Sequence, residues 1–388
     1  MSGGLQRRAS YEGRLEFSVD TDLQKLVGWN GATTHFTVYQ IHNIGHTTAV
    51  DNVGSIADPS NIAALATTRL FTAWFQQNAF DDRVSLRIGQ LAADDEFITS
   101  PTASGLINGT FGWASLMAAN MTSGGPAYPL ATPGARLAVK PTDALTLQTA
   151  VFAGDPAGAN CTDVAQACDR YGTKFSFSGG ALWMSELQYG VNQGKDATGL
   201  PGIFKLGGWY ATANYADVHY GLDALGNVVS LAATPPSALN HRGDWGVYGV
   251  ADQTVWRAGK QSLNFFMRGG FVPSDRNTVS YYVDGGFSLK GLLPGREDDV
   301  LTFGAAYEKI SRDLAALDQD MGPPTPVRNY EAVFELDYAM QIAPWWVLQP
   351  DLQYIVHPGG NVLDPNDPAG TATVKNAFVA GIRSTIKF

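Results

Sequence analysis

No long apolar segment occurs in this sequence. Within its 388 residues, no uninterrupted apolar run approaches the ~18 residues that a membrane-spanning helix requires. Charged residues make up 16% of the chain, 45% of the residues are hydrophobic, and there are 43 glycines. This composition argues against both a disordered chain and a helical membrane protein. If the chain crosses a membrane, it must do so as a closed β-barrel, because only that structure also satisfies every backbone polar group in lipid.

Basic residues and cysteines are scarce as well. The 26 lysines and arginines are outnumbered by 36 acidic residues, and the net charge of −10 argues against nucleic acid as a partner. The two cysteines, Cys161 and Cys168, have six residues between them in a polar stretch without histidine. We therefore expect a small disulfide that closes a loop in an oxidising compartment, and neither a metal site nor a cofactor.

Motifs for catalysis are missing from the sequence. It contains no Gly-x-Ser-x-Gly nucleophile turn and no His-Glu-x-x-His metal motif. Some outer-membrane barrels are lipases or proteases, but this sequence contains no motif that matches their catalytic nucleophiles. The sequence therefore predicts a protein that is not an enzyme.

Alternation of apolar and polar residues is the pattern that the sequence does contain. In its last thirteen residues, Phe378, Ala380, Ile382 and Phe388 share one parity, whereas Arg383 has the other. Such alternation predicts a strand with one apolar and one polar face, long enough to cross a bilayer at a tilt. The edge strand of a soluble sandwich has the same pattern, so this segment alone leaves both interpretations open.

The whole chain repeats this pattern and thereby favours a membrane barrel. Fifteen strands are predicted, at residues 11–24, 33–43, 68–80, 83–97, 134–140, 144–154, 173–191, 203–220, 243–257, 262–272, 279–290, 299–311, 330–341, 345–357 and 376–388. The connections between them are alternately short and long, as in outer-membrane barrels, whereas soluble sandwiches mix loop lengths at both ends. We predict an all-β fold, a transmembrane antiparallel β-barrel of the bacterial outer membrane, wide enough for a water-filled channel.

The odd strand number suggests that the barrel begins before this sequence does. Single-chain bacterial barrels have an even number of strands. Residues 1–10 are too short and too polar for a strand, and no apolar segment of a signal peptide precedes them. We interpret residues 1–388 as a single barrel domain, incomplete at its N-terminus, that lacks the first strand and the leader. A miscounted strand is the alternative.

Parity assigns side chains to the two faces of the wall. The outer face is predicted to carry an interfacial girdle of aromatic residues, namely Trp209, Tyr210, Trp245, Trp256, Tyr281, Trp345 and Trp346. Charged residues of both signs should line the lumen.

The 39 residues from Phe97 to Ala135 include no Asp, Glu, Lys or Arg. A loop in water would carry charge, so we expect residues 97–135 to fold into the barrel and narrow the pore. An ordinary extracellular loop or a trimer contact is the alternative.

Several short motifs resemble the carbohydrate-selective porin (OprB-like) family. They are Arg83–Asp94, Phe111-Gly-Trp113, Pro126–Gly134, Val151–Pro156, His241-Arg-Gly-Asp-Trp245 and Ala251-Asp-Gln253. The resemblance implies a sixteen-stranded outer-membrane barrel, a homotrimer or a monomer surrounded by outer-membrane lipid, through which glucose and other sugars diffuse passively. The sequence departs from the family at its start, where a Gly-Asp-Trp-Gly-Gly-like motif and a first strand are missing. A general non-selective porin and a structural or truncated barrel without transport are the alternatives.

Sugar selectivity requires particular side chains in the lumen. Aromatic rings contact the C–H faces of a sugar, and fixed charged groups bind its hydroxyls. The candidate pore-lining and substrate-binding residues are Arg14, Arg87, Trp113, Arg136, Glu186, Arg268 and Arg383. Of these, Trp113 would be supplied by the loop. Many of the charged candidates would be paired with a neighbouring charge and would not contact sugar.

Overall fold

A computed structural model describes residues 1–45, 48–194 and 197–388. The described residues contain seventeen strands in a single sheet in which paired strands run antiparallel. The strands are β1 (Ser2–Gly4), β2 (Glu12–Asp22), β3 (Ala32–Asn43), β4 (Thr67–Ala79), β5 (Val84–Leu91), β6 (Thr132–Val139), β7 (Leu145–Ala153), β8 (Ala181–Val191), β9 (Gly202–Leu222), β10 (Val228–Ser230), β11 (Ser237–Ala258), β12 (Gln261–Phe271), β13 (Val279–Lys290), β14 (Val300–Ile310), β15 (Tyr330–Ala343), β16 (Trp346–Val356) and β17 (Lys375–Ile386).

The helices are short and lie in the connections between strands. They are α1 (Leu23–Val27), α2 (Ala49–Val53), α3 (Ser115–Ala118), α4 (Ala165–Cys168), α5 (Arg312–Met321) and α6 (Pro358–Asn361). Within the described parts of the chain, none of the helices has the length and apolarity needed to span a membrane.

Fifteen of the strands overlap the fifteen predicted segments. From β2 to β17 each of these long strands pairs with the next one in the chain, and β9 pairs with β11 because β10 is a three-residue addition to β9. The short turns lie at one end of the strands and the long connections at the other. The predicted all-β antiparallel barrel fold is thereby confirmed. It could be predicted because period-two alternation is a property of each strand by itself.

Two strands, β1 and β10, were not predicted, and each has only three residues. Residues Ser2–Gly4 form β1, which pairs with β17 at Phe378 and Lys375. The expectation that residues 1–10 contribute no strand is therefore wrong for these three residues. Pairing of backbones needs no apolar side chains, and a Cβ at Gly3, where φ is +78°, would lie only 1.9 Å from the carbonyl oxygen of Asn376.

Several strand ends differ from the predicted ones. The predicted strand 173–191 begins only at Ala181, because Gly179 and Gly180 adopt positive φ angles just before it. The predicted strand 83–97 ends at Leu91. In the other direction, β9 and β11 continue past the predicted ends as a long hairpin of 21 and 22 residues. Polar residues in these extensions hid the strand pattern from the sequence analysis.

Helix α5 was predicted as loop. The Ser311 hydroxyl caps it by accepting a hydrogen bond from the Leu314 amide at 3.0 Å. Leu314 and Leu317 are buried on its inner side in a small cluster with Ile310. A serine cap followed by apolar residues three apart is a helix signal that the sequence contains.

The outer face of the barrel wall is apolar and its aromatic residues lie near the strand ends. Tyr210, Trp245, Trp256 and Tyr281 are exposed there as predicted. Trp209 is not, since it is buried on the inner face and fills the space above Gly246. Because Trp209 and Tyr210 are neighbours in one strand, they must point to opposite faces, and the prediction that both face lipid is wrong.

Candidate functional site

The connection between β5 and β6, residues 92–131, packs against inward-facing side chains of the barrel wall, and we call it the inner loop. Carboxylates on the wall accept hydrogen bonds from its backbone amides. Glu186 on β8 accepts from the Ile98 amide at 2.8 Å, and Glu335 on β15 accepts from the Asn108 amide at 3.0 Å. The inner loop has no charge of its own from Phe97 onward, so the wall supplies the partners that its buried amides require.

A buried arginine binds the carbonyl groups of the same loop. Arg268 on β12 donates hydrogen bonds to the carbonyl oxygens of Ile98, Thr110 and Gly112 at 3.0–3.2 Å. Its guanidinium also forms an ion pair of 2.5 Å with Asp284, which lies directly opposite on β13. Amide and carbonyl groups of the inner loop are thus held by charges of opposite sign on the wall.

Apolar packing supports these polar contacts. Leu106 and Phe111 of the inner loop lie against Gly304 of β14, and a Cβ at this glycine would lie 2.4 Å from Cδ1 of Leu106. Phe111 also meets Phe266 of β12 edge to face, with ring centroids 6.2 Å apart. The wall therefore needs glycine at position 304 because the loop approaches its backbone closely.

The opposite side of the barrel interior, formed by β2 to β6, is partly in contact with water, mainly along β2, whereas Arg136 on β6 is only 6% exposed. The exposed fractions of the side chains are 25% for Arg14, 47% for Glu16 and 79% for Asp20, compared with 1% for Arg268. Charged residues of both signs face each other here. We call this side, with the inner-loop residues that lie against it, the arginine face.

Two arginines of the arginine face share one carboxylate. Arg87 on β5 and Arg136 on β6 lie directly opposite each other, and both form ion pairs with Glu96 of the inner loop, at 2.6 and 2.5 Å. The guanidinium carbon of Arg87 lies 3.8 Å from the ring centroid of Trp74. The ring of His35 stacks on Trp74 at 4.8 Å. Arg87 is thereby fixed by an ion pair and by a cation–π contact.

Aromatic rings hold a third arginine of this face. The guanidinium carbon of Arg14 on β2 lies 4.5 Å from the ring centroid of Tyr39 and 5.0 Å from that of Tyr128. Arg14 also pairs with Glu16 at 3.3 Å. Tyr128 belongs to the inner loop and donates its hydroxyl hydrogen to the Ile62 carbonyl at 2.8 Å. The loop therefore contributes to the arginine face as well as to the buried side.

The remaining predicted site residues lie outside the arginine face. Glu186 and Arg268 face the interior but are covered by the inner loop, with exposed fractions of 2% and 1%. Arg383 on β17 donates a hydrogen bond of 2.7 Å to Asn61 in the β3–β4 connection. Trp113 is half-buried and donates a hydrogen bond to the Gly124 carbonyl.

Trp113 borders a cavity of about 230 Å³ between two long connections. The cavity is lined by residues of the inner loop, among them Ser123 and Tyr128, and by Gln166 of the β7–β8 connection. That second connection contains a disulfide between Cys161 and Cys168. The cavity thus lies where the inner loop meets the neighbouring long connection.

Several residues of the arginine face were not among the candidates from the sequence. Tyr39, Trp74, Glu96 and Tyr128 were missed. Glu96 could have been found as the last charge before the uncharged segment. The aromatic residues could not, since their parity shows the face they occupy but not which guanidinium they contact.

Two further carboxyl groups at the start of the inner loop have raised pKa values. Burial raises the pKa of Asp94, which accepts a hydrogen bond from the Tyr128 amide, to about 7. Enclosure by the surrounding protein, followed by repulsion from Glu96, raises the pKa of Asp95 to about 6. Both groups are therefore largely neutral at pH 5 and ionised at pH 8.

We expect the cation selectivity of the channel to rise between pH 5 and pH 8. Raised pKa values mean that Asp94 and Asp95 gain negative charge as the pH increases through 6 and 7. The ratio of cation to anion permeability should rise by roughly two- to threefold, because the added charge changes the electrostatic energy of an ion in the pore by about 1 kT. Reversal potentials across planar bilayers under a salt gradient measure this ratio.

The double variant Asp94→Asn/Asp95→Asn should lose most of this pH dependence. Asp143→Asn, in the exposed turn between β6 and β7, is the control and should keep it. An unchanged pH profile in the double variant would contradict the assignment.

Comparison with known proteins places the fold in a defined class. The sequence profile of the "Carbohydrate-selective porin, OprB family" matches residues 6–388. Porin B of Pseudomonas aeruginosa is 25% identical to this chain over 411 aligned positions, which cover 99% of the chain and 83% of Porin B. The high-pH structure of Pseudomonas putida OprB is 24% identical and has a TM-score of 0.84, covering 100% of this chain and 91% of the other.

The fold and the family match define an outer-membrane porin, which is a channel. The chain belongs to the carbohydrate-selective porin family, the OprB family. Its function is the diffusion of sugars across the bacterial outer membrane. The predictions of the family, the function and the localisation are thereby confirmed.

Proposed function

We propose that sugars such as glucose pass between the inner loop and the arginine face, and that the fixed arginines select them. The observation that carries this proposal is the environment of Arg87. Its Nη1 is bound to Glu96 at 2.6 Å and its Nε to Gln76 at 3.0 Å, while Nη2 has no protein partner among the described residues. A guanidinium held in this way offers a fixed donor to a sugar hydroxyl, and its side chain loses little further conformational entropy when the sugar binds.

Pairing of opposite charges favours neutral solutes over ions. Arg14 is paired with Glu16, and Arg87 and Arg136 are paired with Glu96. Such pairs present donors and acceptors to hydroxyl groups, but their fields partly cancel, so that neither cations nor anions are strongly attracted. Trp113, in its cavity of about 230 Å³, supplies an aromatic surface for the C–H face of a sugar at the mouth.

In this proposal the inner loop narrows the pore. Support comes from its contacts, since hydrogen bonds join it to β8, β11 and β15 and its residues Asp94 to Glu96 reach the arginine face. Glu186 and Arg268 then act by holding the loop, and contact with sugar is left to Arg14, Arg87 and Arg136.

Swelling of liposomes that contain the protein tests the proposed selectivity. Glucose should enter clearly faster than amino acids and small ions of similar size, because only the sugar offers several hydroxyls to paired charges. Equal rates for all solutes would favour a general porin. Absence of both swelling and single-channel conductance in a correctly folded sample would favour a structural barrel without transport.

We also propose that each chain forms its own pore, whether the protein is a homotrimer or a monomer. All residues of the proposed pathway come from a single chain. Native mass spectrometry in detergent gives the assembly, and single-channel recordings give the number of pores. Conductance steps should occur singly for a monomer and in groups of three for a homotrimer.

A further inference from the structure

Three buried carboxylates lie together on the inner face of β15 and β16. Glu335 and Asp337 are two positions apart on β15, and Asp351 lies directly opposite Asp337 on β16. One oxygen atom from each carboxylate lies within 4.8 Å of the other two. The exposed fractions are 1%, 1% and 4% for Glu335, Asp337 and Asp351. Three acidic groups therefore share a site that solvent hardly reaches.

Hydrogen bonds satisfy Glu335 and one oxygen of Asp351, whose Oδ2 accepts from the Gln353 side chain at 3.1 Å. Glu335 accepts from the backbone amides of Ile107 and Asn108, at 2.5 and 3.0 Å. Both carboxylate oxygens of Asp337, and Oδ1 of Asp351, lack a hydrogen-bond partner in the described chain. Burial of an unpaired carboxylate is strongly unfavourable, and so are like charges directly opposite each other on two paired strands. These oxygens require a partner.

The arginine on the neighbouring strand is engaged elsewhere. Arg383 directs its hydrogen bonds to the β3–β4 connection, at 2.7 Å to Asn61 and 3.4 Å to Ser60. The acidic residue of the arginine face differs in this respect, since Glu96 is bound by two guanidinium groups. The carboxylates on β15 and β16 thus form an acidic group without a direct ion pair among the described residues.

We propose that Glu335, Asp337 and Asp351 bind a divalent cation with the chemistry of Ca²⁺. All three side chains are carboxylates, the hard oxygen ligands that Ca²⁺ prefers, and it accepts irregular geometry. Two ligands at bond lengths of about 2.4 Å can lie at most about 4.8 Å apart, which agrees with the spacing of the three oxygens. Thr302, which is buried, is the residue opposite Asp337 on β14.

The position of the site connects the cation with the inner loop. Glu335 holds Ile107 and Asn108, and Gln349 on β16 donates a hydrogen bond of 2.9 Å to the Gly105 carbonyl. A cation at this point fixes residues 105–108 against the wall. Its removal therefore loosens one of the attachments of the loop and enlarges the pore.

Calorimetric titration of the EDTA-stripped full chain in detergent with calcium chloride tests the proposal. One Ca²⁺ should bind per chain. The affinity should fall by about tenfold or more in Asp351→Asn, which removes one ligand, and binding should disappear in Asp337→Asn/Asp351→Asn. Heat-modifiable migration on gels shows whether each variant is folded, and Asp351→Asn alone carries the test if the double variant is not.

Asp20→Asn is the matched control, because Asp20 is an exposed lumen carboxylate on β2, and this variant should bind Ca²⁺ as the wild type does. Wild-type protein that binds no Ca²⁺ at roughly millimolar concentration, the weak end of the range for extracellular Ca²⁺-binding modules, would overturn the proposal. So would folded variants that bind it unchanged. A higher melting temperature of the double variant without any effect of Ca²⁺ on the wild type would show that the carboxyl groups stay protonated instead.

Discussion

Replacement of Arg268 by alanine is expected to release the inner loop from the barrel wall and to increase the single-channel conductance by about twofold or more. The substitution removes the donor to the carbonyl groups of Ile98, Thr110 and Gly112. It also leaves Asp284 as a buried charge without its partner, a change that costs about 3–5 kcal/mol. Both effects favour a state in which the loop has left the wall.

Proteolysis gives a second measurement of the same release. The segment 97–135 contains no lysine or arginine, so trypsin cannot cut it in any variant. Chymotrypsin can cut after Phe111 and Trp113, but Phe111 is buried in the wild type. Fragments that end at these residues should appear in Arg268→Ala and not in the wild type, and trypsin serves as the internal control.

The double variant Arg268→Ala/Asp284→Ala separates the two contributions to stability. It lacks the same carbonyl contacts but leaves no unpaired charge, so its free energy of unfolding should fall less than that of Arg268→Ala. Arg257→Ala, on the exposed end of β11, should behave as the wild type. A wild-type conductance and no new chymotryptic fragments in folded Arg268→Ala would contradict the proposed role of Arg268.

Replacement of Arg87 by lysine is expected to weaken sugar binding while the charge is retained. The planar guanidinium of Arg87 binds Gln76 through Nε and Glu96 through Nη1, and its Nη2 remains available for a sugar hydroxyl. Lysine cannot reproduce this geometry. Loss of one charge-assisted hydrogen bond, worth about 1.5 kcal/mol, should raise the half-saturating glucose concentration by about tenfold. Block of ion current by glucose in single-channel recordings measures this concentration.

The reversal potential of the same variant should stay close to that of the wild type, because the lumen charge is unchanged. Arg83→Lys is the matched control just before the same strand, since Arg83 pairs with Asp143 at the exposed turn and lies outside the proposed pathway. A glucose affinity in Arg87→Lys equal to that of Arg83→Lys and the wild type would remove Arg87 from the site.

The sequence predicted the wall of this protein far better than its interior. All fifteen long strands were located, because alternation, turn residues and loop lengths are properties of neighbouring residues. The errors in the wall have local causes too. Gly179 and Gly180 shorten β8, and Trp209 was assigned to lipid on its aromatic character although its neighbour Tyr210 already occupied that face.

The candidate residues show that the sequence does not predict which inward-facing side chains are exposed to water. Arg14, Arg87 and Arg136 share the arginine face, whereas Glu186 and Arg268, with equally clear inward parity, are covered by the inner loop. Parity states only that a side chain points inward. Whether it meets water or another segment depends on the path of residues 92–131, which hydrogen bonds to distant strands decide.

The amino-acid sequence by itself determined that this chain forms a barrel with an apolar outer face and a charged inner face, because side chains in a strand alternate at every residue. The tertiary structure alone decided which inward charges face open water, which hold the inner loop, and which meet each other unpaired on β15 and β16. These outcomes depend on contacts between residues far apart in the chain, and the pattern of neighbouring residues carries no record of such contacts.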